Sequence, residues 1–178
     1  MPKDFEDDNI TKLSKYDSVD DWIDEDRLKH LESHLTDTER ETHYKEALEL
    51  KEIGNDEFKK RKIFTVYKYI HQSSKIMSLK YKNDRSILYA NRAASKVRLG
   101  RKESAIDDCT KAVELNDKYL KAYFRRAKLY EETEKLEESC QDYKKILTFD
   151  PGNKDALQAQ YRLPPKIAER NENLKQKC

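Results

Sequence analysis

The sequence predicts an all-α fold, a solenoid of three stacked helix pairs that is closed by a capping helix and preceded by an acidic N-terminal segment. Glycine and proline together account for only seven of the 178 residues, whereas charged residues make up 40%. Three glycines are too few for the tight turns of a β-rich fold, and a composition rich in Lys, Glu and Leu is typical of helical proteins. An internal repeat predicts how the helices are arranged.

Residues 86–119 and 120–153 are two copies of one pattern, each 34 residues long. A repeat of this length indicates helix pairs that bury their apolar faces against their neighbours in a solenoid. Pro151 lies near the end of the second copy, where it is expected to stop a helix. The matching residues, at positions 4, 8, 20 and 24, are Tyr89 with Tyr123, Ala93 with Ala127, Ala105 with Ser139, and Cys109 with Tyr143.

An earlier, less regular copy occupies residues 47–80. Gly54 falls at its position 8, where a small residue allows the two helices of a pair to approach closely. The next copy begins 39 positions later, five more than the period. We therefore expect either an extended second helix in the first copy or a longer loop around Leu79–Arg85.

Residues 1–35 form the acidic segment, with eleven Asp or Glu against five Lys or Arg. We expect its first twenty residues to be disordered, and the apolar spacing from Trp22 to Leu35 allows a short amphipathic helix. Thr36 and Glu39 fit a capping box, which predicts a long helix that reaches about Lys62.

The predicted organisation is the acidic segment, three repeats within residues 36–153, and a capping helix over residues 154–178. The prolines Pro164 and Pro165 are expected to end or kink that last helix early. Without residues 1–35 the chain carries a net charge of +8, which suits an anionic partner.

Five polar side chains on the first helices of the repeats are candidates for a binding site. Lys51 and Asn55 are four residues apart and share a helix face, as do Lys121 and Arg125. Asn91 lies on the first helix of the repeat between them. Lys and Arg donate charge-assisted hydrogen bonds and Asn donates neutral ones, so this set suits closely spaced carboxylates at the end of an extended peptide.

A resemblance to a known family is carried by three segments, LKEIGN at 50–55, NRAAS at 91–95 and KAYFRRA at 121–127. They resemble the dicarboxylate-clamp tetratricopeptide repeats of Hsp70/Hsp90 co-chaperones. The resemblance implies that Lys51, Asn55, Asn91, Lys121 and Arg125 hold the terminal carboxylate and the last Asp of an EEVD tail. It also implies an adaptor that is not an enzyme and that needs no cofactor.

Further segments indicate a closer resemblance within that family: ERETHYKEALELKEIGN, RSILYANRAA, KLYEETEKLEESCQDYKKIL and RLPPKIAERNENLK. This closer resemblance implies a signalling GTPase as an additional partner. Two alternatives stay open on the residues alone. The groove could bind another acidic protein segment as a general scaffold, or the acidic run DDWIDEDRL could fold back on the groove and compete with the partner's tail.

Several function classes have little support in the sequence. His30 and His34 share a helix face but lack a third metal ligand, and no phosphate-binding loop or nucleophile motif occurs. Nucleic-acid binding is disfavoured, and no apolar run is long enough to insert into a membrane. The cysteines Cys109, Cys140 and Cys178 are odd in number and widely spaced, which favours reduced thiols and a cytoplasmic protein.

Overall fold

The structure, a computed structural model, describes residues 25–60 and 62–176 of the chain. Within these residues every regular element is an α-helix, which confirms the predicted all-α fold. From the helix Asp37–Lys59 onward, each helix packs against the next, as a solenoid requires. They are α1 (Glu25–Ser33), α2 (Asp37–Lys59), α3 (Ile63–Ile76), α4 (Lys82–Arg98), α5 (Lys102–Leu115), α6 (Leu120–Glu132), α7 (Leu136–Phe149) and α8 (Lys154–Gln176).

The capping box at the start of α2 is confirmed. The Thr36 hydroxyl accepts a hydrogen bond from the Glu39 backbone N–H at 3.3 Å, and the Glu39 carboxylate accepts one from the Thr36 backbone N–H at 2.8 Å. Each bond satisfies a backbone donor that the first turn of a helix leaves without a partner. The helix ends at Lys59, close to the predicted end at Lys62.

The five extra residues between the first and second copies lie within residues 77–85, the region around Leu79–Arg85 where a longer loop was one of the two expected alternatives. The second helix of the first copy, α3, has 14 residues, the same length as α5 and α7, so the other alternative, an extended second helix, is wrong. Four of the extra residues lengthen the start of α4, which has 17 residues where α6 has 13. The fifth lies in the preceding loop, which is one residue longer than its counterpart before α6.

Close approach at Gly54 is confirmed. A Cβ atom placed on Gly54 would lie 2.8 Å from Ile70 Cδ1 and 3.1 Å from Ile70 Cγ1. Ile70 is 1% exposed and belongs to the core of the first helix pair. Position 8 of the repeat is therefore restricted to small side chains, in agreement with the buried alanines Ala93 and Ala127 at the same position.

Two ion pairs, one buried and one partly buried, join the helices of the second and third pairs at matching repeat positions. The Arg92 guanidinium donates to Asp108 at 2.8 and 2.5 Å, and that of Arg126 donates to Asp142 at 2.8 and 2.7 Å. The first copy has Ile53, which is 43% exposed, and Tyr69 at those positions, so it lacks an equivalent ion pair. Sequence reasoning did not find these pairs.

The C-terminal helix α8 continues through Pro164 and Pro165, so the expected early end is wrong. Prolines remove backbone donors, but contacts on both sides of them hold the helix in place. Leu163 is fully buried in the core before the prolines. After them, the Arg170 guanidinium donates to the Glu134 backbone carbonyl at 2.8 Å and to the Glu137 carboxylate.

Glu131 anchors α8 through a bidentate ion pair with Arg162, at 2.6 and 3.0 Å, and these bonds lower the pKa of Glu131 below 4.5. We expect Glu131→Gln to reduce the free energy of unfolding at pH 7 by about 1 kcal/mol, since the pair is partly exposed. A carboxyl with a lowered pKa stabilises the fold above its ordinary pKa and ceases to do so as pH falls through the lowered value. Urea unfolding at pH 7 and pH 3 measures this loss.

At pH 3 the difference in the free energy of unfolding between wild type and Glu131→Gln should disappear. The exposed Glu138→Gln variant is the control and should match wild type at both pH values. A difference that persists unchanged at pH 3 would show that the side-chain charge of Glu131 does not carry the effect.

Helix α1 lies inside the stretch for which the sequence predicts an acidic, flexible segment. Its half-buried Leu28 packs against the core shared by the second and third pairs. The Glu32 carboxylate accepts a bond from the Leu79 backbone N–H, and its backbone carbonyl accepts one from Arg40 at 2.9 Å. The chain therefore contacts the solenoid from Leu28 onward, whereas Trp22, the rest of residues 1–24 and Cys178 lie outside the described residues.

Candidate functional site

An inner groove of about 610 Å³ runs between the first helices of the three pairs, α2, α4 and α6, and reaches the start of α8. Four cations and two carboxylates line it, and one of those carboxylates, Glu132, is already paired with Lys102 at 2.9 Å. The groove is therefore electropositive. Its lining residues are Phe58, Ala94, Val97, Arg98, Lys121, Phe124, Arg125, Lys128, Leu129, Glu132, Asn153 and Asp155.

Two of the five predicted site residues, Lys121 and Arg125, line this groove together. Lys121 is exposed at the first turn of α6. Arg125 is half-buried, and one guanidinium N–H donates to the backbone carbonyl of Ala90 at 2.6 Å. This bond joins α6 to α4 directly beside Asn91, and the remaining guanidinium donors stay available on the groove side.

The other three predicted residues are not among those that line the groove, but each lies on a helix face that continues into it. Lys51 and Asn55 precede Phe58 on α2 by seven and three residues, and Asn91 precedes Ala94 on α4 by three. Residues at these spacings share one face of a helix. All three side chains are half-buried. Each of these three residues therefore lies N-terminal to a groove-lining residue, Phe58 or Ala94, on the same face of its helix.

Sequence reasoning missed Phe58, Arg98 and Lys128. The Arg98 guanidinium lies over the Phe58 ring, 4.0 Å from its centroid, and joins α4 to α2 across the groove. Lys128 is exposed one turn after Arg125. The three segments that carry the resemblance end three residues before Phe58 and Arg98 and one residue before Lys128. Their spacing from Asn55, Asn91 and Arg125 along a shared face was the signal that could have identified them.

Other chemistry-bearing groups have structural roles. Cys109 is fully buried, and this burial raises the pKa of its thiol to about 12, so the sulfur stays protonated and unreactive.

Within residues 25–60 and 62–176, no three His, Cys, Asp or Glu side chains come together as a metal site would require. In that same part of the chain, no helix has both the length and the apolar character of a membrane span.

The profile of the Tetratricopeptide repeat family matches residues 87–119 and 120–153, which contain most of α4 and all of α5 to α7. A solved structure, the first TPR of Spaghetti (RPAP3) bound to the Hsp90 peptide SRMEEVD, is 33% identical with a TM-score of 0.61. That similarity covers 70% of this chain and 98% of the Spaghetti domain. The chain belongs to the tetratricopeptide repeat proteins.

Two other relatives agree with this assignment. The second TPR domain of human RPAP3, solved with the Hsp70 peptide SGPTIEEVD, is 30% identical with a TM-score of 0.60, over 68% of this chain and 97% of that domain. DnaJ homolog subfamily C member 7 from Mus musculus is 41% identical over 96 residues, 54% of this chain. The match spans only 19% of that DnaJ homolog.

Proposed function

We propose that this tetratricopeptide repeat protein is a non-enzymatic adaptor that holds the free C-terminal EEVD tail of Hsp70 or Hsp90 in the inner groove. The observation that carries the proposal is the placement of Lys121 and Arg125 in one electropositive groove whose walls are the first helices of three repeats. Two relatives with the same fold are solved with peptides that end in EEVD. The groove and the relatives therefore point to the same class of ligand.

The chemistry of such a tail matches the proposed site. A chain that ends in Asp presents two carboxylates on one residue, its side chain and its free terminus. The cations Lys51, Lys121 and Arg125 would donate charge-assisted hydrogen bonds to them. The amides of Asn55 and Asn91 would fix the orientation without adding charge. A ligand without a free terminus lacks one of the two carboxylates and should bind weakly.

Phe58, Arg98 and Lys128, which were not among the predicted site residues, suit the part of the tail that precedes its last Asp. Arg98 and Lys128 supply cations further along the groove, and the faces of Phe58 and Phe124 supply apolar surface. The two Glu residues of EEVD would lie against the cations, and the residue before them against the aromatic faces. This arrangement gives the groove a preference for acidic tails with an apolar residue upstream.

A second partner follows from a finer resemblance. The four segments quoted above resemble tetratricopeptide repeat protein 1, and on that basis we propose a signalling GTPase as an additional partner of the adaptor.

We also propose a cytoplasmic location, which the free thiols of Cys109 and Cys140 support. The principal alternative is a general scaffold that binds another acidic protein segment.

Calorimetry with SGPTIEEVD and SRMEEVD, each as free acid and as C-terminal amide, tests the proposed function. We expect the free acids to bind with Kd values on the order of micromolar, because a short peptide buries little area. Amidation should weaken binding about 10- to 100-fold, since it removes one charge-assisted contact. Equal affinities for acid and amide would instead favour the general scaffold.

A further inference from the structure

We propose that the outer side of the first repeat carries a second binding site, which takes residues 4–8 of this chain's own acidic N-terminal segment. The site is a pocket of about 310 Å³, called here the outer pocket, and it shares no lining residue with the inner groove. A volume of this size equals that of about ten water molecules and admits one aromatic side chain. It is formed by Phe64, Tyr67, Lys68, His71 and Lys75 of α3 with Arg101.

The floor of the outer pocket is aromatic and held in place. The Tyr67 and His71 rings stack with centroids 5.7 Å apart, and the Arg101 guanidinium lies 5.7 Å from the Tyr67 ring centroid. Arg92 approaches His71 Nδ1 at 2.9 Å, and because arginine can only donate, His71 is neutral with its proton on Nε2. Phe64 is 39% exposed at the edge. The pocket therefore offers an apolar, pre-formed surface to an aromatic ring.

The rim of the outer pocket is basic, and the other repeats provide an internal comparison. Helix α3 contains no Asp or Glu, whereas the equivalent helices α5 and α7 contain four and three. Lys68 and Lys75 are exposed and make no ion pair with any described residue. The side chains of Lys68, Lys75 and Arg101 lie around the aromatic floor, and no carboxylate is among the residues that line the pocket. Among the second helices of the three described repeats, α3 is the one without a carboxylate.

Residues 4–8, with the sequence DFEDD, complement this pocket in both charge and shape. They carry four acidic side chains and no basic one, around a single aromatic residue, Phe5. Phe5 would enter the aromatic floor while the flanking carboxylates lie against the lysines on the rim. The charges of segment and rim, −4 and +3, nearly cancel.

The chain is long enough to make this contact within one molecule. Sixteen residues lie between Asp8 and Glu25, the first residue of α1, and the seventeen steps from one to the other span up to about 56 Å in an extended chain. Helix α3 is only about 21 Å long, and α1 already contacts Leu79 in the loop that follows α3. A tether of this kind supplies an effective concentration on the order of millimolar. An acidic segment of another protein would have to compete with it.

Zero-length carbodiimide cross-linking of the full chain, followed by mass spectrometry, tests this docking. The reagent joins a carboxylate to an amine only where the two are in contact. We expect links from residues 4–8 to Lys68 or Lys75, within one molecule, in a mixture of isotopically labelled and unlabelled chains. Links only to inner-groove lysines such as Lys121 and Lys128, links between two molecules, or no links from residues 4–8 would each overturn the proposal.

A pair of full-chain variants supplies a second readout by amide NMR. The first variant neutralises the proposed segment, with Asp4→Asn, Glu6→Gln, Asp7→Asn and Asp8→Asn. We expect it to shift the amide signals of residues 64–75. The control neutralises the other acidic aromatic run, with Asp20→Asn, Asp21→Asn and Asp24→Asn, and should leave those signals in place. Shifts that are equal for both variants, or absent from residues 64–75, would contradict docking in the outer pocket.

Discussion

Arg125→Ala is expected to weaken binding of the free-acid peptide SGPTIEEVD about 10- to 100-fold, since a hydrogen bond to a charged group contributes about 1.5–3 kcal/mol. The guanidinium lies in the inner groove, where Lys121 and Lys128 are its nearest cations on the same helix face. Its loss removes the only planar, forked donor among the five proposed site residues. Calorimetry at fixed ionic strength measures the change.

Arg125 also has a structural bond, so stability must be followed separately. Its donation to the Ala90 carbonyl at 2.6 Å joins α6 to α4, and losing it should cost about 1 kcal/mol of unfolding free energy. Circular dichroism should still show a folded helical chain. Lys144→Ala, an exposed lysine on α7 away from the groove, is the matched control and should bind as wild type does. Wild-type affinity in Arg125→Ala would remove this residue from the site.

Asp108→Asn is expected to reduce the free energy of unfolding by about 3–5 kcal/mol, the range for a buried ion pair that loses one partner. Asp108 accepts bonds from Arg92 and lies 3.1 Å from the Lys96 ammonium, and all three residues are at most 3% exposed. Asparagine has the same shape but directs an amide donor toward these two cations. Urea unfolding, followed by circular dichroism, measures the loss.

The neighbouring Asp107→Asn provides the control. Asp107 is exposed on the outer side of α5, so its neutralisation should change the unfolding free energy by about 0.5 kcal/mol or less. If Asp108→Asn were as stable as Asp107→Asn, water would have to satisfy the charges of Arg92 and Lys96. That result would contradict the expectation that the cluster of Arg92, Lys96 and Asp108 stabilises the contact between α4 and α5.

Features that depend on nearby residues could be predicted from the sequence. The capping box needs only Thr36 and Glu39, three residues apart, and it forms as expected. The small residue at Gly54 follows from the repeat register, because position 8 faces the partner helix in every copy. The 34-residue period itself determines the stacking order of the helices. Local chemistry and repetition were therefore sufficient for the architecture.

Features that depend on packing between distant segments could not be predicted. The Arg92–Asp108 pair joins residues 16 positions apart, and nothing in a charge-rich sequence distinguishes these two charges from exposed ones. The prolines in α8 predicted a helix end, but burial of Leu163 and the contacts of Arg170 outweigh the missing backbone donors. For the same reason the Arg98–Phe58 contact became visible only when α4 and α2 were placed side by side.

Five side chains from three helices are proposed to hold one free peptide terminus. NMR titration of the isotopically labelled chain with SGPTIEEVD, read at the side-chain amides of Asn55 and Asn91 and at the Lys and Arg side chains, tests this arrangement. We expect the signals of Lys51, Asn55, Asn91, Lys121 and Arg125 to shift together with one Kd, and the amidated peptide to shift them with a Kd about 10- to 100-fold higher. Shifts confined to the outer faces of the helices, with Asn55 and Asn91 unchanged, would contradict the proposed arrangement.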